Sequence, residues 1–175
     1  MFVGTARYLC ADPGVSLMTD LTLPERPEPP AGADDVWLHC IECGHTLPPF
    51  DDVVFTCPEC DGLLEVRYAT YPTFDDFEGT GVWRYADALP FADGVSLPEG
   101  NTPLHEVPRL ESEVGVRNLR VKHEGMNPTG SFKDRGMTVG VRVAQELDVD
   151  RLACASTGNT SAALAAYGAR ADLET

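Results

Sequence analysis

HEGMNPTGSFKDRG, residues 123–136, places one lysine in a turn that opens a helix. Asn127-Pro128-Thr129-Gly130 is turn chemistry, since proline presets its own φ and asparagine and glycine tolerate left-handed backbone. Ser131 follows as an N-cap, with Asp134 three positions on, a capping-box-like start to a helix predicted over residues 131–147. Lys133 then lies in the first helical turn. A cation there faces the positive end of the helix dipole. That disfavours the ammonium form and, with burial, favours the free amine that attacks carbonyls. Of 13 basic residues only Lys122 and Lys133 are lysines, so a lysine inside this turn is not surface filler.

Working outward, the chain alternates strand, loop and helix. Residues 117–123 (RNLRVKH) read as a strand ahead of the lysine loop. In the helix after it, Phe132, Gly136, Val139, Val143 and Leu147 form an apolar stripe. A second set, Met137, Val141 and Ala144, implies burial on more than one side. Gly136 and Gly140, four apart, allow another element to approach closely. Residues 151–155 (RLACA) read as the next strand. The loop Ser156-Thr157-Gly158-Asn159-Thr160 then leads into SAALAAYGARA, a helix small and apolar all round that calls for cover on several sides. Hydroxyls and backbone N–H groups at a helix N-terminus make an anion site. Upstream, residues 98–110 (PEGNTPLHEVPRL) place the turn Asn101-Thr102-Pro103 before a strand. Residues 71–97 gather Phe74, Phe77, Trp83, Tyr85 and Phe91 into a packing segment with a short helix near residues 83–89.

NPTGSFKDRG resembles the cofactor-lysine motif of fold-type II pyridoxal-phosphate enzymes, in the wording of threonine synthases, with threonine dehydratases and cysteine synthases as relatives. GNTPL and STGNTSAA are similar to further segments of that family, and the resemblance covers roughly residues 37–171. It implies an α/β fold, the N-terminal portion of a tryptophan synthase β-like enzyme. It also implies a Schiff base between Lys133 and pyridoxal 5'-phosphate. Ser156, Thr157, Gly158 and Thr160 would hold the carboxylate of a small amino-acid substrate, and the Asn159 side chain would hydrogen-bond the cofactor's 3' oxygen. The implied reaction turns O-phospho-homoserine into threonine and phosphate. Another fold-type II lyase, or a zinc-binding interaction module without catalysis, are the alternatives. The family's glycine-rich phosphate loop and larger domain have no counterpart here, so residues 70–175 are expected to form an incomplete domain. On that expectation the chain is a truncated product, inactive until a second polypeptide supplies a C-terminal half, and compatible with an oligomer.

A second strong signal precedes it. Cys40 and Cys43 are followed, after 13 residues, by Cys57 and Cys60. Two Cys-x-x-Cys turns at this spacing satisfy a tetrahedral Zn(II), and Gly44, Pro58 and Asp61-Gly62 supply the turn residues each needs. The runs VWLH, VVFT and LLEVRY read as small strands around them. Residues 36–69 are therefore expected to form a zinc-ribbon-like unit with four cysteine ligands, although His39 and His45 lie near enough to stand in for one. Four protein ligands leave no open position, so the metal's role is structural. A ribbon ahead of the cofactor domain also resembles some microbial threonine synthases.

Composition sets the outer limits. With 28 acidic against 13 basic residues the formal charge is -15, which repels nucleic acid and anionic membrane, and the ribbon lacks a basic face. Such a surface suits high salt, where carboxylate repulsion is screened. No run approaches a membrane span, and the paired cysteines suit a reducing, cytoplasmic setting. Residues 1–35 end in LPERPEPPAGADD and are expected to form a poorly ordered arm. Met18 reads as the more natural start, leaving Cys10 without a role.

Overall fold

The computed structural model describes residues 35–73, 75 and 77–175. The arm, with Cys10 and Met18, lies outside the described residues apart from Asp35, as does Phe74.

Strand β1 (Val36–Cys40) lies between β2 (Thr46–Leu47) and β3 (Leu64–Tyr68), antiparallel to both. Leu38 stands opposite Leu47 on one side and Val66 on the other. Trp37 and Cys40, on opposite faces of β1, are both buried. The expected strand at residues 53–56 does not form: Val53, Val54 and Phe55 are exposed, Phe55 at 87%. Thr46 and Leu47 take that edge of β1. The chain reverses at the first cysteine turn and brings Thr46 opposite His39, a shorter closure than the one residues 53–56 would need.

The aromatic segment fastens onto the helical region C-terminal to it. A 3-10 helix, Trp83–Ala88, forms where a short helix was expected. Trp83 Nε1 donates to Thr138 Oγ1 (2.8 Å), and that hydroxyl donates to the Val95 carbonyl (2.7 Å). Phe77 is buried edge-on to Tyr85, and Phe91 stacks near Phe50 with centroids 4.7 Å apart. After this segment, β4 (Leu104–Glu106) pairs antiparallel with β5 (Arg120–Lys122). Helix α1 (Pro108–Val114) joins them, opened by its proline and closed by Gly115 at φ +70°. The strand expected over residues 117–123 thus contracts to three residues. That expected over 151–155 shrinks to a bridge between Arg151 and Glu174, with Leu152 N–H donating to the Glu174 carbonyl (2.8 Å). An extended run needs a partner alongside, and among the described residues only this short tail supplies one.

Helices α2 (Lys133–Glu146) and α3 (Asn159–Arg170) pack together around fully buried Val141, Ala163 and Tyr167, with Val95, Leu97, Met137, Leu152 and Leu173 closing the core. The buried face of α2 is Asp134, Thr138, Val141 and Ala144, and the expected stripe through Phe132 and Gly136 is not the one that faces the core. Phe132 is 56% exposed, and nothing among the described residues approaches Gly136 or Gly140. Asp134 and Thr138 can be buried because Thr129 satisfies the one and Trp83 with Val95 the other, and the expected second set, Met137, Val141 and Ala144, shares that core-facing side. In α3 the burial is one-sided: Ala163, Leu164, Tyr167 and Gly168 are buried, while Ala162, Ala165 and Ala169 are exposed. No helix among the described residues is long and apolar enough to cross a membrane.

Candidate active site

The lysine turn is held from several directions. Gly130 N–H donates to the Asn127 carbonyl (2.8 Å), closing the turn. Buried Asn127 donates through Nδ2 to the Glu124 carbonyl (2.8 Å) and accepts at Oδ1 from Gly100 N–H (2.9 Å). Asp134, fully buried, accepts from the Thr129 N–H (2.7 Å) and from its hydroxyl. The expected capping box is therefore displaced. Asp134 reaches back five residues to Thr129, while Ser131 Oγ accepts the Lys133 N–H at 3.3 Å. Helix α2 begins at Lys133 itself, preceded by Phe132, which gives no side-chain cap. A left-handed Gly130 (φ +83°) folds Thr129 over the helix start, where the carboxylate meets it. Lys133 is half-buried, its Nζ 4.4 Å from the centroid of the Phe132 ring.

Next to this turn stand two residues that sequence reasoning passed over. Arg135 grips Glu124 with a two-pronged pair, Nε to Oε2 at 2.7 Å and Nη2 to Oε1 at 2.9 Å. Thr102 Oγ1 donates to Glu124 Oε1 (2.7 Å) and accepts from Arg135 (3.2 Å). The guanidinium's hydrogen bonds, helped by Thr102 and Asn127, hold the Glu124 carboxyl down at about 2. The available signal was an acid and a base flanking the lysine motif on both sides, a pattern that local propensity does not read as a pair.

At the second candidate element, residues 156–159 are exposed and Thr160 is half-buried. Gly158, at φ +156°, donates its N–H to Ser156 Oγ (3.1 Å), and its carbonyl accepts from Ser161 Oγ (2.7 Å) and Ala162 N–H (2.9 Å). Asn159 is the first residue of α3. Lys133 and Asn159 thus head two helices packed on each other. No hydrogen bond or ion pair among the described residues joins Lys133 to residues 156–160.

The four paired cysteines do come together. The Sγ atoms of Cys40, Cys43, Cys57 and Cys60 all lie within 4.8 Å of one another, 3.5 Å for Cys40 with Cys60 and 3.6 Å for Cys43 with Cys57. Tetrahedral Zn(II) with bonds of about 2.3 Å would space its sulfurs about 3.8 Å apart. The turns are built alike: Gly44 N–H returns to the Cys40 carbonyl (3.0 Å) and Asp61 N–H to the Cys57 carbonyl (2.9 Å). Gly62 is required where the turns meet, since a Cβ there would lie 2.7 Å from Glu42 Cγ and 3.0 Å from Cys40 Sγ. The Cys43 N–H draws the Cys40 thiol down to about 7. At Cys60 the Gly62 N–H pulls the thiol down but is outweighed by crowding from Cys43 and Cys40 and by burial, leaving it up at about 12. Four thiolates this close repel, and a dication removes the repulsion, so donors and spacing fit a divalent metal. Neither histidine joins the group, and His39 Nδ1 lies 3.2 Å from Glu65 instead.

Residues 95–175 match the family described as pyridoxal-phosphate dependent enzyme. The chain is similar to the threonine synthase of Methanosarcina acetivorans, 54% identical over 142 residues, covering 78% of this chain and 35% of that protein. The threonine synthase of Methanocaldococcus jannaschii is 53% identical over 141 residues, 75% of this chain and 34% of that protein. That of Halalkalibacterium halodurans is 54% identical over 99 residues, 52% and 28% respectively. The chain spans about a third of the length of the first two of these relatives. The resemblance read from the lysine and STGNT motifs is borne out.

Proposed function

We propose, for a chain whose residues 95–175 match the pyridoxal-phosphate dependent enzymes, that it carries the cofactor-lysine part of a lyase converting O-phospho-homoserine to threonine and phosphate. The identity of 50–54% to threonine synthases from archaea and bacteria carries this reading. Pyridoxal phosphate, when bound, supplies an electron sink for carbanion chemistry at the substrate. Lys133 would hold it, and its Nζ is the group in this chain suited to take a proton from the substrate's α carbon and return one. Ser156, Thr157, Gly158 and Thr160 would bind the substrate carboxylate, and Asn159 would orient the cofactor ring through its 3' oxygen. The exposed hydroxyls and N–H groups heading α3 support those roles, because no hydrogen bond among the described residues consumes most of their donors.

The same reading divides the chain into an arm over residues 1–35, a zinc ribbon over 36–69 holding a structural Zn(II) on Cys40, Cys43, Cys57 and Cys60, and part of an α/β cofactor domain over 70–175. The clustered thiols and the three-stranded sheet support the ribbon. The test of substrate class is spectroscopic. Loaded with pyridoxal phosphate, the protein should show a visible band that O-phospho-homoserine perturbs at concentrations where O-acetylserine and threonine do not. Equal response to O-acetylserine or threonine would move the assignment to a cysteine synthase or a threonine dehydratase.

A further inference from the structure

The segment ahead of β4 makes contacts that neither the lysine turn nor the STGNT loop makes with the other. Glu99 is a carboxylate only 1% exposed. Its Oε2 accepts from Tyr167 OH (2.8 Å), in the middle of α3, and from the Leu97 N–H (2.9 Å), while Ser96 Oγ reaches both carboxylate oxygens. One residue on, Gly100 donates to Asn127 in the lysine turn. Gly100 sits at φ +91°, and a Cβ there would meet Gly81 Cα at 3.1 Å and Arg135 Nη1 at 3.3 Å, so the backbone is pressed between the two. Two residues on, buried Thr102 bonds Glu124 and Arg135, and its carbonyl accepts from Lys122 Nζ (2.6 Å). Four consecutive residues thus reach α3 at one end and the Lys133 turn at the other. A buried carboxylate is retained only where its hydrogen bonds are filled, which fixes Glu99 to its three donors.

We propose that Glu99 and Thr102 are positioning residues that lock the helix headed by Asn159 to the turn carrying Lys133. The inference rests on the proposed cofactor role of Lys133, since it concerns how Lys133 and Asn159 are held in register. Neither residue touches the reacting atoms. Glu99 acts through Tyr167 and α3, and Thr102 acts through the Glu124–Arg135 pair. The arrangement makes the two candidate elements one unit although no hydrogen bond or ion pair among the described residues joins them directly.

The experiment measures the rate at which pyridoxal phosphate with borohydride modifies Lys133 in the 175-residue chain, mapped by peptide mass and referenced to N-acetyl-lysine in the same tube. Thr102→Val should slow modification of Lys133 by about tenfold, the scale expected when a reacting group is misplaced by a fraction of an ångström, and Thr102→Ser should restore it. Tyr167→Phe, which deletes one oxygen and leaves Glu99 two donors, should slow it less than Glu99→Gln. Amide exchange at residues 129–133 should quicken in the same order, a second readout that serves if Glu99→Gln does not fold. Unchanged rates and exchange in Thr102→Val and Tyr167→Phe would overturn the positioning role of Glu99 and Thr102 while leaving the cofactor reading intact. A wild-type chain whose Lys133 reacts no faster than N-acetyl-lysine would overturn the cofactor reading and the positioning role with it.

Discussion

At the scale of single residues, the groups around Lys133 do the holding of its turn. Asp134 is the clearest case. Its buried carboxylate takes both the N–H and the hydroxyl of Thr129, so Asp134→Ala should cost about 1–3 kcal/mol in denaturant unfolding by leaving those donors unpaired. Glu124 adds a pH signature. Its carboxyl is held at about 2 in the fold against an ordinary 4.5. A lowered pKa contributes stability that is complete above the ordinary value and is lost as pH falls through the folded one. The stability difference between wild type and Glu124→Gln should therefore be constant above pH 4.5 and narrow between there and about pH 2. A difference that stays constant down to pH 2 would remove Glu124 from the account. The sequence made Lys133, Asn159 and the four cysteines visible because each sits in a short, chemically unusual motif. Glu99 was invisible, because Tyr167 lies 68 residues away, and the Glu124–Arg135 pair, 11 residues apart across the lysine motif, was missed because local propensity does not read an acid and a base at that distance as partners.

Among the elements, the cysteine unit and the α2–α3 pair illustrate opposite outcomes. Strands β1 and β3 were legible from alternation, and the two cysteine turns from spacing, because local chemistry settles both. The middle strand was misplaced to residues 53–56 because VVFT has strand propensity, yet chain reversal had already filled that edge of β1. In α2 the buried face runs through Asp134 and Thr138, which a hydropathy stripe excludes, and Phe132 is left exposed. For the cysteine unit, Gly62→Ala should weaken metal binding, since its methyl would enter the space of Cys40 Sγ and Glu42. Competition with a zinc chelator would show a lower affinity than wild type, alongside proton release on binding that reflects the raised Cys60 thiol. Equal affinity would mean that the turns adjust freely and that the close packing at Gly62 is incidental.

For the whole molecule, a formal charge of -15 spread over 175 residues makes self-repulsion the dominant long-range electrostatic force. Raising KCl from tens of millimolar to molar concentration should raise the thermal midpoint, with most of the gain reached once the screening length falls to about 3 Å near 1 M. A midpoint indifferent to salt would show that the acidic surface is well enough spaced to need no screening. The broad assignment was legible early because three motifs occur in one order, GNTPL, NPTGSFKDRG and STGNT, and the packing of α2 on α3 explains how distant segments form one unit. The central claim is that Lys133 is the residue that captures pyridoxal phosphate. Borohydride trapping followed by peptide mass mapping tests it most directly, because the only other lysine is Lys122, with its Nζ committed to the Thr102 carbonyl. A pyridoxyl mass is expected on the peptide carrying Lys133 and lost in Lys133→Ala; equal labelling of Lys122 and Lys133, or labelling that survives Lys133→Ala at the same level, would contradict that role.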